Sequence, residues 1–388
     1  MKAIAVIGAN FGDEGKGRLV DHFAASAEAP AIVVRYNGGA QAGHTVVTPD
    51  GKRHVFHHFG SGTLAGASTF LSHWFIANPM LFCKELDELL KITPGVSVFV
   101  SGIMPLSTPY DMILNREIEA HRGNKRHGSC GMGISETIER LCSDGPKLFM
   151  ADTLNGRNFK TSLLNIKNNW VPKRLREFNI KPSEEFMTAW QSKDIYDGYL
   201  ADLERMSKAV EIGRTDILKR FKTVIFEGAQ GLGLDERHRF FPHVTRSKTG
   251  IDNIQEICKF AGISDIHVCY VTRAYLTRHG AGPLPTESDK ISYADETNCE
   301  NLWQGKLRFG HLDLDLLTEN IRIDQSRTQI KATHSIAVTC LDQVEDRVVF
   351  RKNNLLVGVH KKALPGIIGL STGIKKVIAS ESNTRKKG

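Results

Sequence analysis

The segment Gly8-Ala9-Asn10-Phe11-Gly12-Asp13-Glu14-Gly15-Lys16-Gly17 combines glycines with two acids and a lysine. It follows a short apolar run, Ala3 to Ile7, and precedes Arg18-Leu19-Val20-Asp21-His22-Phe23, whose apolar residues recur at helical spacing. A glycine-rich turn between strand and helix can hold phosphate, because free backbone N–H groups and the helix dipole converge there. The segment departs from the GxxxxGK[ST] loop. With Gly15-Lys16 as its GK, the leading glycine falls at Asn10, and Gly17 stands where a hydroxyl would meet Mg2+. Asp13 is then available to hold a metal, to accept a proton, or to do both. The expectation is chemistry at a phosphate.

Three further segments carry similar signals. Tyr36-Asn37-Gly38-Gly39-Ala40-Gln41-Ala42-Gly43-His44-Thr45 has three glycines that let backbone approach a ligand. His44 within it is a candidate general acid or cationic phosphate partner. Phe226-Glu227-Gly228-Ala229-Gln230-Gly231 offers the Gln230 amide, which can read a purine or pyrimidine edge. Leu276-Thr277-Arg278-His279-Gly280-Ala281-Gly282-Pro283-Leu284-Pro285-Thr286-Glu287 reads as a rigid polar loop beside Arg278.

Elements that could position these loops are legible. Apolar, β-branched runs at 31–36, 96–100, 223–226, 267–272 and 335–339 read as buried strands. Residues 80–90 and a long region from about Glu184 to Phe221 read as helices. Strands alternating with helices predict an α/β fold around a mainly parallel sheet. Ligands on such sheets bind at the carboxyl ends of the strands. Segments 8–17, 37–45, 227–235 and 339–342 all fall there, so they are expected to line one site.

Composition narrows the class. The chain has 388 residues, 41% hydrophobic and 24% charged, with a formal net charge of +8. That is ordinary for a soluble globular protein, and no apolar stretch approaches a membrane span. The seven cysteines are scattered and lack CxxC pairs, which argues against a disulfide framework or structural zinc. With no apolar leader after Met1, the expected location is cytoplasmic. The positive charge is spread rather than striped, with modest clusters at Lys125-Arg126, Lys173 to Arg176 and the tail Arg385-Lys386-Lys387. It suits anionic nucleotides better than nucleic acid. A non-catalytic nucleotide-binding regulator and a nucleic-acid-binding NTPase are the alternatives from other classes. The regulator predicts loss of Asp13, His44 or Lys16, and all three are present.

Taken together, GDEGKG, RYNGGAQAGHT, FEGAQG…LD…PHVT and TRHGAGPLPTE resemble the adenylosuccinate synthetase family, in order and at similar spacings. The resemblance runs from about residue 3 to 373. It implies a single α/β domain with a P-loop-related fold, a short basic tail at 382–388, a homodimer, Mg2+, and GTP as phosphoryl donor, with ATP or dATP open. It implies a two-step reaction: phosphorylation of a purine O6, then displacement of that phosphate by the amine of L-aspartate. By the same resemblance Asp13 is the base, Lys16 the phosphate-loop lysine, His44 the general acid and Gln230 a further catalytic group. Asp13 and the Gly43 carbonyl are the Mg2+ ligands. The triphosphate falls to Gly12, Asp13, Glu14, Gly15, Lys16, Gly17, Gly43, His44, Thr45, Cys340, Asp342, Ser371 and Gly373, with Asp342 on guanine. The acceptor nucleotide falls to Asp13, Asn37, Gln41, Ser129, Cys130, Gln230, Thr245, His279 and Gly280, and L-aspartate to Lys306 and Arg308.

The departures are informative. The family's asparagine before Ala-Gly-His is Gln41. Its arginine-containing phosphate segment appears as Gly128-Ser129-Cys130-Gly131-Met132-Gly133-Ile134, and the arginine expected from the partner subunit has no counterpart near Ser143-Asp144. Its arginine-rich aspartate loop aligns with 301–308, where only Lys306 and Arg308 are charged, and its guanine-motif lysine is Cys340. The acceptor-reading residues are rewritten while the phosphoryl-transfer residues stay. That pattern resembles the phage branch, which joins aspartate to dGMP and leads to 2-aminoadenine DNA. Better-known members of that branch carry serine where this chain has Asp13. The expected acceptor is dGMP, with IMP as the alternative.

Overall fold

The computed structural model describes residues 1–123, 126, 128–293 and 305–380. In chain order its strands are β1 (Lys2–Gly8), β2 (Ala31–Arg35), β3 (His44–Val47), β4 (Arg53–Phe56), β5 (Ser68–Leu71), β6 (Val98–Ser101), β7 (Glu211–Gly213), β8 (Thr223–Gly231), β9 (Asp265–Arg273), β10 (Tyr275–Arg278), β11 (Arg308–Asp313), β12 (Lys331–Thr339), β13 (Arg347–Lys352), β14 (Leu355–His360) and β15 (Val377–Ala379). Among the described residues, nine of them form one sheet in the order β15-β12-β9-β1-β8-β2-β5-β6-β7. Every pairing in it is parallel.

The central strands are continuous apolar runs because both faces are covered. In β1, Ala3, Ala5 and Ile7 join one buried cluster and Ile4 and Val6 another. The loop after β1 leads straight into α1 (Lys16–Ala25). α2 (Pro79–Leu90), α3 (Pro109–Arg122) and α4 (Ile134–Cys142) follow. A further core, with Phe82, Leu114 and Tyr199, lies among α2, α3 and the helix Lys193–Ala209. β10, β11, β13 and β14 make a smaller mixed sheet. β9 feeds it through Ala274 alone, so Arg273 ends β9 and Arg278 ends β10.

The sequence reading holds for the central strands and for the helix at 80–90. It overextends the helical region of about 184–221. Glu184–Gln191 and Lys193–Ala209 are helices, the second capped by Ser192, whose side chain accepts from Ile195 N at 3.3 Å. From Val210 the backbone is extended, and Glu211–Gly213 pairs with β6 as an edge strand before a short 3-10 helix at Thr215–Arg220. Three residues are too few to display a period of two. Among the described residues, no helix is long and apolar enough to cross a membrane.

Candidate active site

A cavity of about 1300 Å³ opens at the carboxyl ends of the central strands, lined by residues from the loops after β1, β2, β8, β9 and β12. Its volume exceeds that of a pocket for one drug-sized ligand, so two ligands can share it. Of the residues picked from sequence, Gly12, Asp13, Gly15, Lys16, Gly17, Gln41, Gly43, His44, Thr45, Ser129, Cys130, Gln230, Thr245, His279, Cys340 and Asp342 line this one space.

The backbone at three of these positions is held in the left-handed region: φ is 59° at Asp13, 56° at Gln230 and 59° at Cys340. Among the described residues, the other non-glycines with positive φ are Asn179, Asn353 and Asn354. Asparagine tolerates that conformation, whereas a residue such as Gln or Cys is strained there by roughly 1–3 kcal/mol. The strain is concentrated in the cavity wall, where strand ends turn sharply to present side chains.

The β1–α1 loop is organised from behind. Glu14, 1% exposed, accepts from Asn10 N at 3.1 Å and Gly12 N at 2.9 Å through Oε1. Its Oε2 receives Lys16 Nζ at 2.6 Å. Glu14 was expected on the triphosphate, but the structure turns it away from the cavity to tie the loop and hold the lysine. Gly17 lets the start of α1 approach the next loop: a Cβ there would lie 2.8 Å from His44 Cβ and 2.9 Å from Ser61 Oγ.

Asp13 faces His279, whose Nε2 is 3.3 Å from Oδ2. Arg273 Nε donates to the Asp13 carbonyl. Burial opposes ionisation of Asp13. The His279 hydrogen bond and the charges of His279, Arg273 and Lys16 outweigh it and hold the carboxyl at about 2.

His44 belongs to a buried cluster. Its Nδ1 is 2.6 Å from Glu227 Oε1 and 3.4 Å from Arg35 Nη1. Arg35 Nη1 is 3.5 Å from Glu227 Oε2, Ser61 N donates to that oxygen at 3.0 Å, and Ser61 Oγ donates to Oε1. Burial pushes His44 below the usual imidazole range, with Glu227 opposing and Arg35 adding to the shift. Burial also works against Glu227, but the charges of His44 and Arg35 and the bonds from His44 and Ser61 hold it at about 2. A proton on Nδ1 shared with Glu227 leaves Nε2 as the ring nitrogen for the cavity. Sequence reasoning missed Glu227, Arg35 and Ser61. The available signal was an acid and an arginine at the ends of strands otherwise apolar, since a buried charge needs a partner.

Other residues picked from sequence lie outside the cavity lining. Asn37 is fully buried behind the cavity wall: its side chain accepts from Ala229 N at 2.8 Å and donates to Ala229 O at 3.1 Å. It fastens the second glycine loop to the third instead of lining the cavity. Gly280 packs against Gly128, so the 128–130 and 279–281 loops touch there. Arg308 is spent on its own scaffold, with Nε 2.7 Å from Glu287 Oε1, Nη2 on Glu287 Oε2, and Nη1 on the Gly280 and Gly282 carbonyls at 3.1 and 2.8 Å. Lys306 is exposed, and neither it nor Arg308 lines the cavity. Asn301 to Gln304, from the same loop, lie outside the described residues, as do Lys125 and the tail 382–388. Ser371 and Gly373 sit at the end of the helix Leu364–Thr372, away from the cavity lining, with Lys352 Nζ donating to Ser371 Oγ at 3.2 Å. Asp342 and Cys340 do line the cavity, beside Arg18.

Among the described residues, no group of three or more His, Cys, Asp or Glu could hold a metal ion. Mg2+ commonly takes one or two carboxylates plus substrate phosphates. An ionised Asp13 next to the β1–α1 loop, with Gly43 on the same cavity, fits that habit.

Residues 5–354 match the adenylosuccinate synthetase family. The chain is 35% identical over 299 residues to the adenylosuccinate synthetase of Prochlorococcus marinus (strain MIT 9215), covering 74% of this chain and 64% of that protein. It is 29% identical over 346 residues to the Thermoplasma acidophilum adenylosuccinate synthetase, covering 88% and 76%. The fold matches the fully ligated adenylosuccinate synthetase of Plasmodium falciparum with a TM-score of 0.73 at 19% identity, over 100% of this chain and 99% of the other. It also matches the cyanophage S-2L succinoaminodeoxyadenylate synthetase bound to dGMP and to dATP as an energy donor, with a TM-score of 0.63 at 14% identity over 99% and 93%. The chain belongs to the adenylosuccinate synthetase family.

Proposed function

We propose that this protein is a ligase joining L-aspartate to C6 of a 6-oxopurine nucleotide through a 6-phosphoryl intermediate, with dGMP as the acceptor. The observation that carries the reaction class is the convergence of Asp13, Lys16, His44 and Gln230 on one cavity at the strand ends. O6 becomes nucleophilic as N1 loses its proton, and an ionised Asp13 accepts that proton. The γ-phosphoryl of GTP, ATP or dATP passes to O6 and the nucleoside diphosphate leaves. Lys16 and the first amides of α1 meet the charge on the phosphates. Bound phosphates raise the proton affinity of His44, so the ring, steadied by Glu227, holds a proton against the transferring group. Gln230 offers its amide to the 6-substituent. Mg2+, held by Asp13 and the Gly43 carbonyl, would supply charge neutralisation on the donor phosphates. The aspartate amine then bonds to C6, and phosphate departs with the former O6.

The dGMP reading rests on the rewritten 128–134 loop; the fold is shared both with the phage enzyme bound to dGMP and with the Plasmodium adenylosuccinate synthetase. The IMP reading is favoured by Asp13 and by the similarity to curated adenylosuccinate synthetases. The two acceptors differ by an exocyclic amine at C2 and by the 2′-hydroxyl, groups that a polar site can discriminate strongly. The test offers purified protein Mg2+, aspartate and GTP, ATP or dATP with IMP, GMP, dGMP or dIMP in turn, and follows products by mass. A succino adduct from dGMP is expected. Turnover of IMP without dGMP would overturn the acceptor assignment, and no adduct from any of the four would overturn the ligase reading.

A further inference from the structure

The 128–134 loop carries no arginine, yet three arginines line the cavity near α3 and α4: Arg122, Arg174 and Arg246. Two are committed. Arg174 reaches both oxygens of Glu136 at 2.9 and 3.3 Å and Glu177 Oε2 at 2.6 Å, and its side chain is 11% exposed. Arg122 is paired one helical turn back with Glu119, which is almost fully buried. Arg246 is held more loosely. Its Nη1 meets Glu139 Oε2 at 2.6 Å and the Ser135 carbonyl at 3.3 Å, both on α4, and the pair is 41% and 31% exposed. It directly follows Thr245, whose N–H is anchored to the Leu234 carbonyl at 2.9 Å, so its backbone is fixed while its head is movable.

An ion pair this exposed contributes little. A phosphate monoester offers a guanidinium stronger, charge-assisted hydrogen bonds. We infer that Arg246 grips the 5′-phosphate of the acceptor nucleotide, exchanging Glu139 for it. The inference rests on the ligase reading above. Arg246 then reads the monoester and not the purine, so it sets affinity for nucleotides over nucleosides without choosing between dGMP and IMP.

The test compares wild type with Arg246→Gln in calorimetric binding of dGMP, IMP, deoxyguanosine and inosine, alongside steady-state turnover and thermal melting. Losing a charged hydrogen bond predicts about 10- to 100-fold weaker binding of both monophosphates. Nucleoside binding, the KM for triphosphate and kcat should stay near wild type. Glu139→Gln, which removes the competitor, should bind monophosphates at least as tightly as wild type. Equal losses for nucleosides and nucleotides, unchanged monophosphate binding in Arg246→Gln, or weakened monophosphate binding in Glu139→Gln would each overturn the exchange. A wild type that binds monophosphates through Arg246 but forms no aspartate adduct leaves the phosphate contact standing and removes the ligase reading instead.

Discussion

Lys16 and His44 meet their carboxylates, Glu14 and Glu227, in nearly full burial, whereas Arg246 meets Glu139 half in solvent. All three side chains line the same cavity. On the first wall, desolvation makes every charge contact strong and fixes donors before the reaction begins. On the second, charges are screened and can change partners as ligands arrive. The contrast matches the sequence, which keeps the family's residues on the first wall and rewrites the second. Under the proposed function the first wall handles phosphoryl transfer, and Arg246 on the second meets the acceptor's monophosphate, which dGMP and IMP share.

The largest effect that could break this contrast comes from its centre. Asp13→Ala and His44→Ala should each lower turnover by roughly 10²–10⁴-fold or to background, with circular dichroism and the melting profile retained. Near-normal turnover in either variant means that the first wall is not the reacting one. Glu227→Gln should act more indirectly. Breaking a buried pair and leaving Arg35 uncompensated should cost about 3–5 kcal/mol of stability by denaturant unfolding, and kcat should fall while the KM values hold. A Glu227→Gln protein with wild-type stability would show that burial on this wall does not bind its charges together. The smallest effect belongs to Arg308→Ala. Losing its partly exposed bond to Glu287 should lower stability by about 1 kcal/mol or less and leave the KM for aspartate within about twofold of wild type, as expected for a scaffold contact worth so little. A tenfold rise in that KM would return Arg308 to the aspartate site and blur the two walls.

What the sequence made legible follows from the physics of each part. β1 could be read because a strand covered on both faces must be apolar throughout, and the loops could be grouped because ligands gather at parallel strand ends. The pairing of His44 with Glu227 spans 183 positions, and no local period encodes it. Asp13 with His279, 3.3 Å apart, belongs to the same class of contact. Arg308 is hard to read for a different reason. Residue type announces a charge but not whether a neighbour such as Glu287 has already taken it. Glu14 is ambiguous in the same way, since an acid in a phosphate loop can serve the loop as well as the ligand.

The central claim is that the acceptor's own O6 carries the phosphoryl group away. An acceptor nucleotide labelled with heavy oxygen at O6, incubated with triphosphate, Mg2+ and aspartate, tests it directly by mass spectrometry of the released phosphate. The account predicts one labelled oxygen in each phosphate formed with the succino product. Unlabelled phosphate accompanying that product would contradict it.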